Sequence, residues 1–505
     1  MNIEPNFNKI KIDGKRSLIK KQVVVGCNIS PQEQQGIKKI LGVEGVGRVL
    51  SLEAMVGEAK LNGVVNFKVL YLDNDNDLHS LDYMAEFSES VSGEEILPQS
   101  KLQAAANVID ITVSATDSQV KISSVTELAI DDLHSEEISA LIDIDDSCLK
   151  QIKDIKIQNL MGSGEGTFDV SEEFETNTNI DKILLFDAGA VISDVKCGID
   201  NVLVTGEIVT DITYKGSSGI VTKCFSMPYS EEVTVNGAFS GQKVSAHSEI
   251  VDSKIILSGN ENNNLIKAQV QLNIKVNTFE DKQVEVVADI YSADNELEVT
   301  NTAKEISYYN GCKFYNEKIN GTANLDVQMA PIKDIITTSA SRNVLTNLVS
   351  SNGAFTAEGI VSGAVIYEDD DGEINSVQVE LPYSLELKSD DIALGDDIKG
   401  RAVVSNIYAR AKRDREIEAI AELKFYIEIY SKGSLSVIEN IEVGEEKIAP
   451  KNAISVYLAE KGEKMWDIAK ALNMKPEEIL KQNPDIEEPL QENKPICIFR
   501  QLSLD

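Results

Sequence analysis

Three histidines, His79, His134 and His247, are the residues of this 505-residue chain best suited to move a proton near neutral pH. They stand in separate segments, and none falls in an H-E-x-x-H motif or beside a G-x-S-x-G elbow. Surface or packing roles are expected of them, and no residue is assigned to catalysis. Asp73-Asn74-Asp75-Asn76-Asp77 begins like a calcium-binding EF-hand loop, where alternate oxygen ligands suit a hard cation. Leu78 stands where that loop needs glycine, and Met84 where it needs a bidentate glutamate. Asp369-Asp370-Asp371-Gly372 fails too, because Tyr367 occupies the first ligand position. Both runs are expected to be solvated turns, with no metal and no cofactor. Gly162-Ser163-Gly164-Glu165-Gly166 lacks the lysine and the spacing that cradle a phosphate. The cysteines, Cys27, Cys148, Cys197, Cys224, Cys312 and Cys497, form no C-x-x-C pair, so neither a zinc site nor a disulfide framework is suggested. Free thiols in a reducing cytosol fit best.

The formal net charge is −35. Nucleic-acid affinity comes mainly from Lys and Arg neutralising phosphates, so a nucleic-acid partner is not expected. The same sign opposes adsorption to an anionic membrane. Residues 1–22 carry no apolar secretory core, and no apolar run approaches the ~20 residues of a membrane span. The chain is therefore expected in the cytosol, with no direct membrane insertion.

An internal repeat organises most of the sequence. Leu61, Gly63, Val65, Phe67, Val69 and Tyr71 alternate as one face of a strand does. Val204, Gly206, Ile208, Thr210, Ile212 and Tyr214 repeat the pattern, and so do Ala357, Gly359, Val361, Gly363, Val365 and Tyr367. Gly and Tyr keep the same separation in all three, which means duplication. Turn-forming residues follow each Tyr, and then a second strand ending in Glu86-Phe87-Ser88, Pro228-Tyr229-Ser230 or Pro382-Tyr383-Ser384. Upstream, Ile37, Lys39, Ile40 and Leu41 correspond to Ile180, Lys182, Ile183 and Leu184. Ile332, Asp334, Ile335 and Ile336 fill that place in the third copy, one residue out of step.

Long alternating strands through Ala268–Val276 and Ala419–Ile429 close the second and third copies, and 108–113 is the weaker counterpart in the first. The fold class is thus mainly β: three tandem antiparallel repeats, over 1–160, 161–315 and 316–445, with a short helical piece at most. The Gly162–Gly166 stretch and 172–179 read as connector, although the related 321–327 segment suggests that part of this region is strand.

Residues 446–505 follow a different pattern. Ser455–Ala459 reads as a strand, Lys461-Gly462-Glu463 as a turn, and Met465–Leu472 as a helix whose buried face is Met465, Ile468, Ala469 and Leu472. Pro476, Glu477 and Glu478 suit the first turn of a second helix, with Ile479 and Leu480 facing inward. Asn483-Pro484 ends it, and Pro495–Phe499 is a closing strand, giving the order βααβ.

This module resembles a LysM domain at Val456-Tyr457, Gly462, Met465–Ala469, Glu478–Leu480, Asn483-Pro484 and the last strand. The resemblance implies a groove between the first loop and the loop after the second helix, commonly used for N-acetylglucosamine polymers. Gly462-Glu463-Lys464 replaces the usual Gly-Asp-Thr, losing a hydroxyl and gaining a cation, so glycan is the second choice of ligand. The three β repeats resemble the SPOCS repeats associated with spore coats, and their order before a LysM module resembles clostridial spore-morphogenesis proteins. That likeness implies a non-enzymatic adaptor in the mother cell, peripheral at the forespore surface. Its partner would be the coat-basement ATPase SpoIVA, with other coat proteins as further candidates. The partner-binding residues expected are Lys461, Gly462, Glu463, Lys464 and Trp466, with Asn483, Pro484, Asp485 and Ile486. The competing function is a peptidoglycan-binding protein of the wall or cortex.

Overall fold

A computed structural model describes residues 4–29, 36–116, 119–145, 147–176, 178–217, 219–258, 264–447, 454–486 and 488–499. The first six strands are β1 (Pro5–Ile29), β2 (Ile37–Met55), β3 (Glu58–Asp73), β4 (Leu78–Ser92), β5 (Leu102–Thr116) and β6 (Gln119–Ile144). They form two antiparallel sheets, β2-β3-β4 and β1-β6-β5. Six more follow: β7 (Cys148–Glu175), β8 (Ile180–Cys197), β9 (Asn201–Gly216), β10 (Gly219–Thr234), β11 (Lys243–Ser258) and β12 (Leu265–Ser292). The last six are β13 (Asn295–Asn324), β14 (Ile332–Ser351), β15 (Ala354–Asp369), β16 (Ile374–Lys388), β17 (Asp397–Arg413) and β18 (Glu416–Glu446). Both sets repeat the first pairing scheme, a meander of the second to fourth strands and a sheet in which the last strand lies between the first and the fifth. Among the described residues, these three units contain no helix.

Each unit is a sandwich whose sheets face one another across alternating apolar side chains. In the first, Val65, Phe67, Val69 and Tyr71 of β3 meet Val23 and Val25 of β1 and Val120, Ile122 and Leu128 of β6. Gly63, Gly206 and Gly359 occupy the middle strands β3, β9 and β15, as the shared face register requires. They pair with Phe87, Tyr229 and Tyr383 on the neighbouring strand. A Cβ on Gly206 would come within 2.3 Å of the Val191 carbonyl oxygen and 2.4 Å of the Tyr229 hydroxyl. The aromatic ring thus lies over the hole the glycine leaves, which explains why these two residue types recur together.

The upstream correspondence is closer than the sequence spacing suggests. Ile37, Ile180 and Ile332 all pair two positions beyond the Tyr, opposite Asp73, Gly216 and Asp369. β14 has an additional irregularity between Ser339 and Arg342 that its counterparts lack, and this absorbs the one-residue offset.

Four sequence expectations are corrected. The Gly162–Gly166 stretch and residues up to Glu175 are not a connector but part of β7, paired with β12. A Cβ on Gly164 would meet the Thr234 carbonyl oxygen at 2.3 Å, so this glycine lets the end of β10 approach closely. The counterpart of the long closing strands is β6, whereas 108–113 belongs to β5, the partner of β6. Buried Ser124 and Thr126 interrupt the apolar face of β6 and hide its alternation. The boundaries at 160/161 and 315/316 fall inside β7 and β13; by pairing, the strands group as 5–144, 148–292 and 295–446. Leu480, lastly, is partly exposed, as described with the C-terminal module below.

Beyond the sandwiches, the first and last strands of each unit run on together as two-stranded ribbons. β5 stops pairing at Asp132, but β6 continues against β1 until Ile144 meets Pro5. The three ribbons pack on each other through Ile10, Ile12, Ile138, Ile155, Ile157, Leu435 and Val437. Buried polar groups join them as well: the Gln158 amide exchanges hydrogen bonds with the Tyr309 backbone at 2.7 and 2.9 Å, and Leu160 N–H donates to Asp13 at 2.9 Å. At the opposite end, Leu41, Leu70, Leu72 and Leu78 of the first unit meet Leu184 and Leu185 of the second and Ile366 of the third. Lys38 pairs there with Glu373 at 3.1 Å, and Lys215 with Asp77 at 3.4 Å.

The C-terminal module has the expected βααβ order: β19 (Ile454–Ala459), α1 (Met465–Leu472), α2 (Pro476–Gln482) and β20 (Lys494–Phe499). Pro476 starts α2, and Asn473, with φ +52°, closes α1 in the left-handed region. Ile479 is buried, but its neighbour Leu480 is partly exposed, because successive helical residues lie about 100° apart.

Candidate functional site

The chemistry-bearing residues of the units stay apart. His79 Nε2 donates to the Asp73 carboxylate at 2.9 Å, His134 lies near Asp132 and Glu136, and His247 contacts Arg401 at 3.2 Å. In the first hairpin turn the Asp73 carboxylate accepts from Asp75 N–H at 2.9 Å and Asp77 N–H at 2.8 Å. Asp369 does the same for Asp371 and Glu373, at 3.1 and 2.9 Å. These two carboxylates, the obvious cation ligands, are thus committed to folding their own turns. Among the described residues no group of three potential ligands is placed to hold a metal.

Two adjoining cavities of about 530 and 750 Å³ lie where the three units face each other. Asp187 and Asp211 are opposite one another in the β8–β9 register, and both line the larger cavity. Burial raises both carboxyls, pushing Asp211 up to about 7 with the Asp187 charge adding to the effect. Burial also pushes the Cys224 thiol up to about 12, which removes its value as a nucleophile.

The predicted loop residues divide between exposed groups and internal supports. Lys461, Gly462, Lys464, Pro484 and Asp485 are exposed. Gly462 takes φ +89° and donates its N–H to Leu490 at 2.8 Å. Glu463 accepts from the Tyr457 hydroxyl at 2.6 Å and from Glu460 N–H at 2.9 Å, so it stiffens the loop; its bond raises the Tyr457 phenol above its usual value. Asn483 spans to β20, donating to Cys497 O at 2.8 Å and accepting from Cys497 N–H at 3.0 Å. It therefore acts as an extra strand residue at that sheet edge. Ile486 packs on the module core. The first loop is laced to the continuation of the second: Lys461 N–H donates to Asn493 at 2.8 Å, and Met465 N–H to Glu488 at 3.3 Å.

Trp466 is turned toward the second unit. Its indole N–H donates to Asp289 at 2.8 Å, and its ring meets Tyr291 edge-on at 5.0 Å between centroids. Lys470 pairs with the same Asp289 carboxylate at 2.6 Å, and the Tyr291 hydroxyl donates to Met474 O at 2.8 Å. Burial works to raise Asp289, but the bonds from Lys470 and Trp466 outweigh it and hold the carboxyl below its ordinary value.

Sequence reasoning missed a second surface. Ile454, Val456 and Leu458 point outward from β19, and Phe499, paired with Ile454, extends the face onto β20; all four are more than half exposed. The signal was present in β19 itself, where both faces carry apolar or aromatic side chains although a two-stranded sheet covers only one of them.

Fold and site together define a β-sandwich repeat protein carrying a small βααβ module with an apolar surface. Residues 36–116 and 179–258 each match the family model described as SipL, SPOCS domain, so the chain carries SPOCS domains in tandem and is related to sporulation. The matched segments correspond to β2–β5 and β8–β11, and β14–β17 repeat their strand order in the third unit. The family is not known as one of enzymes. Neither curated proteins nor solved structures gave a match. No helix of the described residues is long and apolar enough to cross a membrane.

Proposed function

We propose that the protein is a non-enzymatic scaffold of spore-coat assembly. In this reading it works in the mother-cell cytosol, peripheral at the forespore surface, and binds SpoIVA through a LysM-like C-terminal module. The observation that carries the reading is the apolar face of Ile454, Val456, Leu458 and Phe499 on the module of a SPOCS-bearing chain. A contiguous exposed apolar face on a small, otherwise charged module is characteristic of a protein interface. The neighbouring loop adds Lys461 and Lys464 as a polar rim of the kind such interfaces use. N-acetylglucosamine binding gains less support, because Glu463, at the position of the usual Asp, is already engaged with Tyr457 and Glu460.

Retention of SpoIVA by the full-length chain tests this. Lys464 is exposed at the N-cap of α1, and a carboxylate there suits the helix dipole, so Lys464→Glu keeps the fold. It is expected to weaken retention by about tenfold through charge reversal at the interface. Equal retention by the variant, or tight binding of the protein to chitin or peptidoglycan with no SpoIVA retained, would overturn the reading.

A further inference from the structure

One cross-strand position is filled differently in each unit. At the same distance from the repeat glycine, Lys68 lies opposite Glu44 in the first unit, Asp211 opposite Asp187 in the second and Ala364 opposite Ser339 in the third. The first pair is acid and base, the third is uncharged, and the second sets two carboxylates against each other. Opposed like charges destabilise an antiparallel pair. Asp187 and Asp211 are also half-buried and line the larger cavity. They stand at the seam between the second and third units. Thr213, next on that face of β9, bonds Ser339 of β14 at 2.8 Å, and the Cys224 thiol donates to Asn406 of β17 at 3.6 Å.

The surrounding charges leave Asp211 uncompensated. Lys68 of β3 and Arg48 of β2 act on Asp187 instead. Arg342 of β14, across the cavity, is drawn to Asp110 of β5 and Glu380 of β16. Lys424 of β18 bonds Glu207, Arg401 of β17 bonds Ser248 O, and Lys215 of β9 pairs with Asp77. Cys224 of β10 lies opposite Asp211 and supplies no cation; the charges acting on it, Asp211 and Glu422 of β18, are both negative. Glu44 of β2 is a further anion of the same cavity. Asp211 Oδ1 is buried and has no hydrogen-bond partner among the described residues. Burial, followed by the like charge of Asp187, pushes Asp211 up to about 7, and burial raises Asp187 as well.

We propose that Asp187 and Asp211 hold one proton between them while the second and third units are seated together, and that its loss opens this seam. With the proton, the pair carries a single charge, which Lys68 and Arg48 of the first unit offset. Without it, two anions stand in a half-buried cleft, and their repulsion falls only when water enters. In an opened seam Asp211 titrates near the ordinary 3.8, and in the closed one near 7. The closed seam is therefore fully favoured below about 4, loses ground as pH rises, and is weakest from about 7 upward.

Cys224 reports the seam, because it lies opposite Asp211, lines the same cavity and is half-buried. The full-length protein is alkylated with iodoacetamide, and modification of Cys224 is quantified by peptide mass spectrometry. Rates are taken relative to Asp211→Asn at each pH, so that ionisation of the thiol itself cancels. This ratio is expected to rise about tenfold between pH 6 and pH 8, as the opening follows a proton lost near 7. Asp211→Ala copies the residue that the third unit carries at this position and serves as a second reference should the Asn variant fold poorly. Asp187→Asn removes the like charge and is expected to move the rise to lower pH. A ratio that stays level from pH 6 to pH 8 against either reference would overturn the proposal. A rise at unchanged pH in Asp187→Asn would overturn it too, because the two carboxyls would then not share the proton.

Discussion

The first unit and the two that follow share strand order and the register of the repeat glycine, yet they fill the same frame differently. In the second and third units the ring over the repeat glycine is a tyrosine with a hydrogen bond, Tyr229 to Val191 O at 3.3 Å and Tyr383 to Asn343 Oδ1 at 2.9 Å. In the first it is Phe87, which has no hydroxyl to satisfy. The closing strands bury apolar faces without interruption from Ile266 to Val276 in β12 and from Ile417 to Ile429 in β18. β6 instead buries Ser124 and Thr126, which bond each other at 3.1 Å, and Ser124 also donates to Val25 O at 3.1 Å. Register and backbone approach are therefore the invariants of this fold. Side-chain chemistry on the buried faces is free to vary as long as each polar group finds a partner.

The sharpest way to break that comparison is to attack the invariant. Gly359→Ala would place Cβ 2.4 Å from the Tyr383 hydroxyl and 2.6 Å from Val344 O, and the latter is backbone that cannot turn aside. A loss of about 1–3 kcal/mol is expected in urea denaturation. Gly363→Ala, in the same strand, meets only the movable end of Ile407 at 3.1 Å and is expected to cost less than about 1 kcal/mol. Equal costs at the two sites would mean that close approach does not explain the repeat glycine.

A smaller effect is expected where chemistry varies. Ser124→Ala strands the Thr126 hydroxyl in the core and should cost about 1–2 kcal/mol. Adding Thr126→Val removes the stranded group, so the double variant should lose less than the sum of the two single ones. Additive losses in a double-mutant cycle would show that the pair is not coupled.

The smallest difference is confined to alkaline pH. Burial pushes the Tyr229 and Tyr383 phenols up to about 12, from an ordinary 10.0. The unfolded chain then releases these protons first as pH rises, so stability is intact below about 10 and falls between about 10 and 12. Tyr229→Phe and Tyr383→Phe should each flatten that fall, as followed by thermal unfolding across pH, and Phe87 contributes nothing to it. An unchanged alkaline slope in both variants would remove these phenols from the account.

Much of the frame was legible because alternation and the Gly-to-Tyr spacing are local. The module's element order was legible for the same reason. The unit limits were not. The chain passes between units through residues 145–147 and 293–294, which are too short to look like linkers, while the glycines that do look like one sit inside β7. β6 was hidden by Ser124 and Thr126. At the candidate site, the loop residues could be named from the sequence, but the Trp466–Asp289 bond joins residues far apart in the chain, and no local pattern announces it.

The pairing of each unit's first strand with its last also sets an order of events during synthesis. Pro5 has no partner until Ile144 has been made, and Cys148 none until Ser292. At a translation rate of about 5–20 residues per second, β1 and the inner face of the β2-β3-β4 meander wait on the order of ten seconds for β6 to cover them. Each unit therefore closes late, its last strand pairing back along the first from Ile29 opposite Val120 to Pro5 opposite Ile144 in the first unit, and the nascent chain goes through three successive intervals with strand edges uncovered.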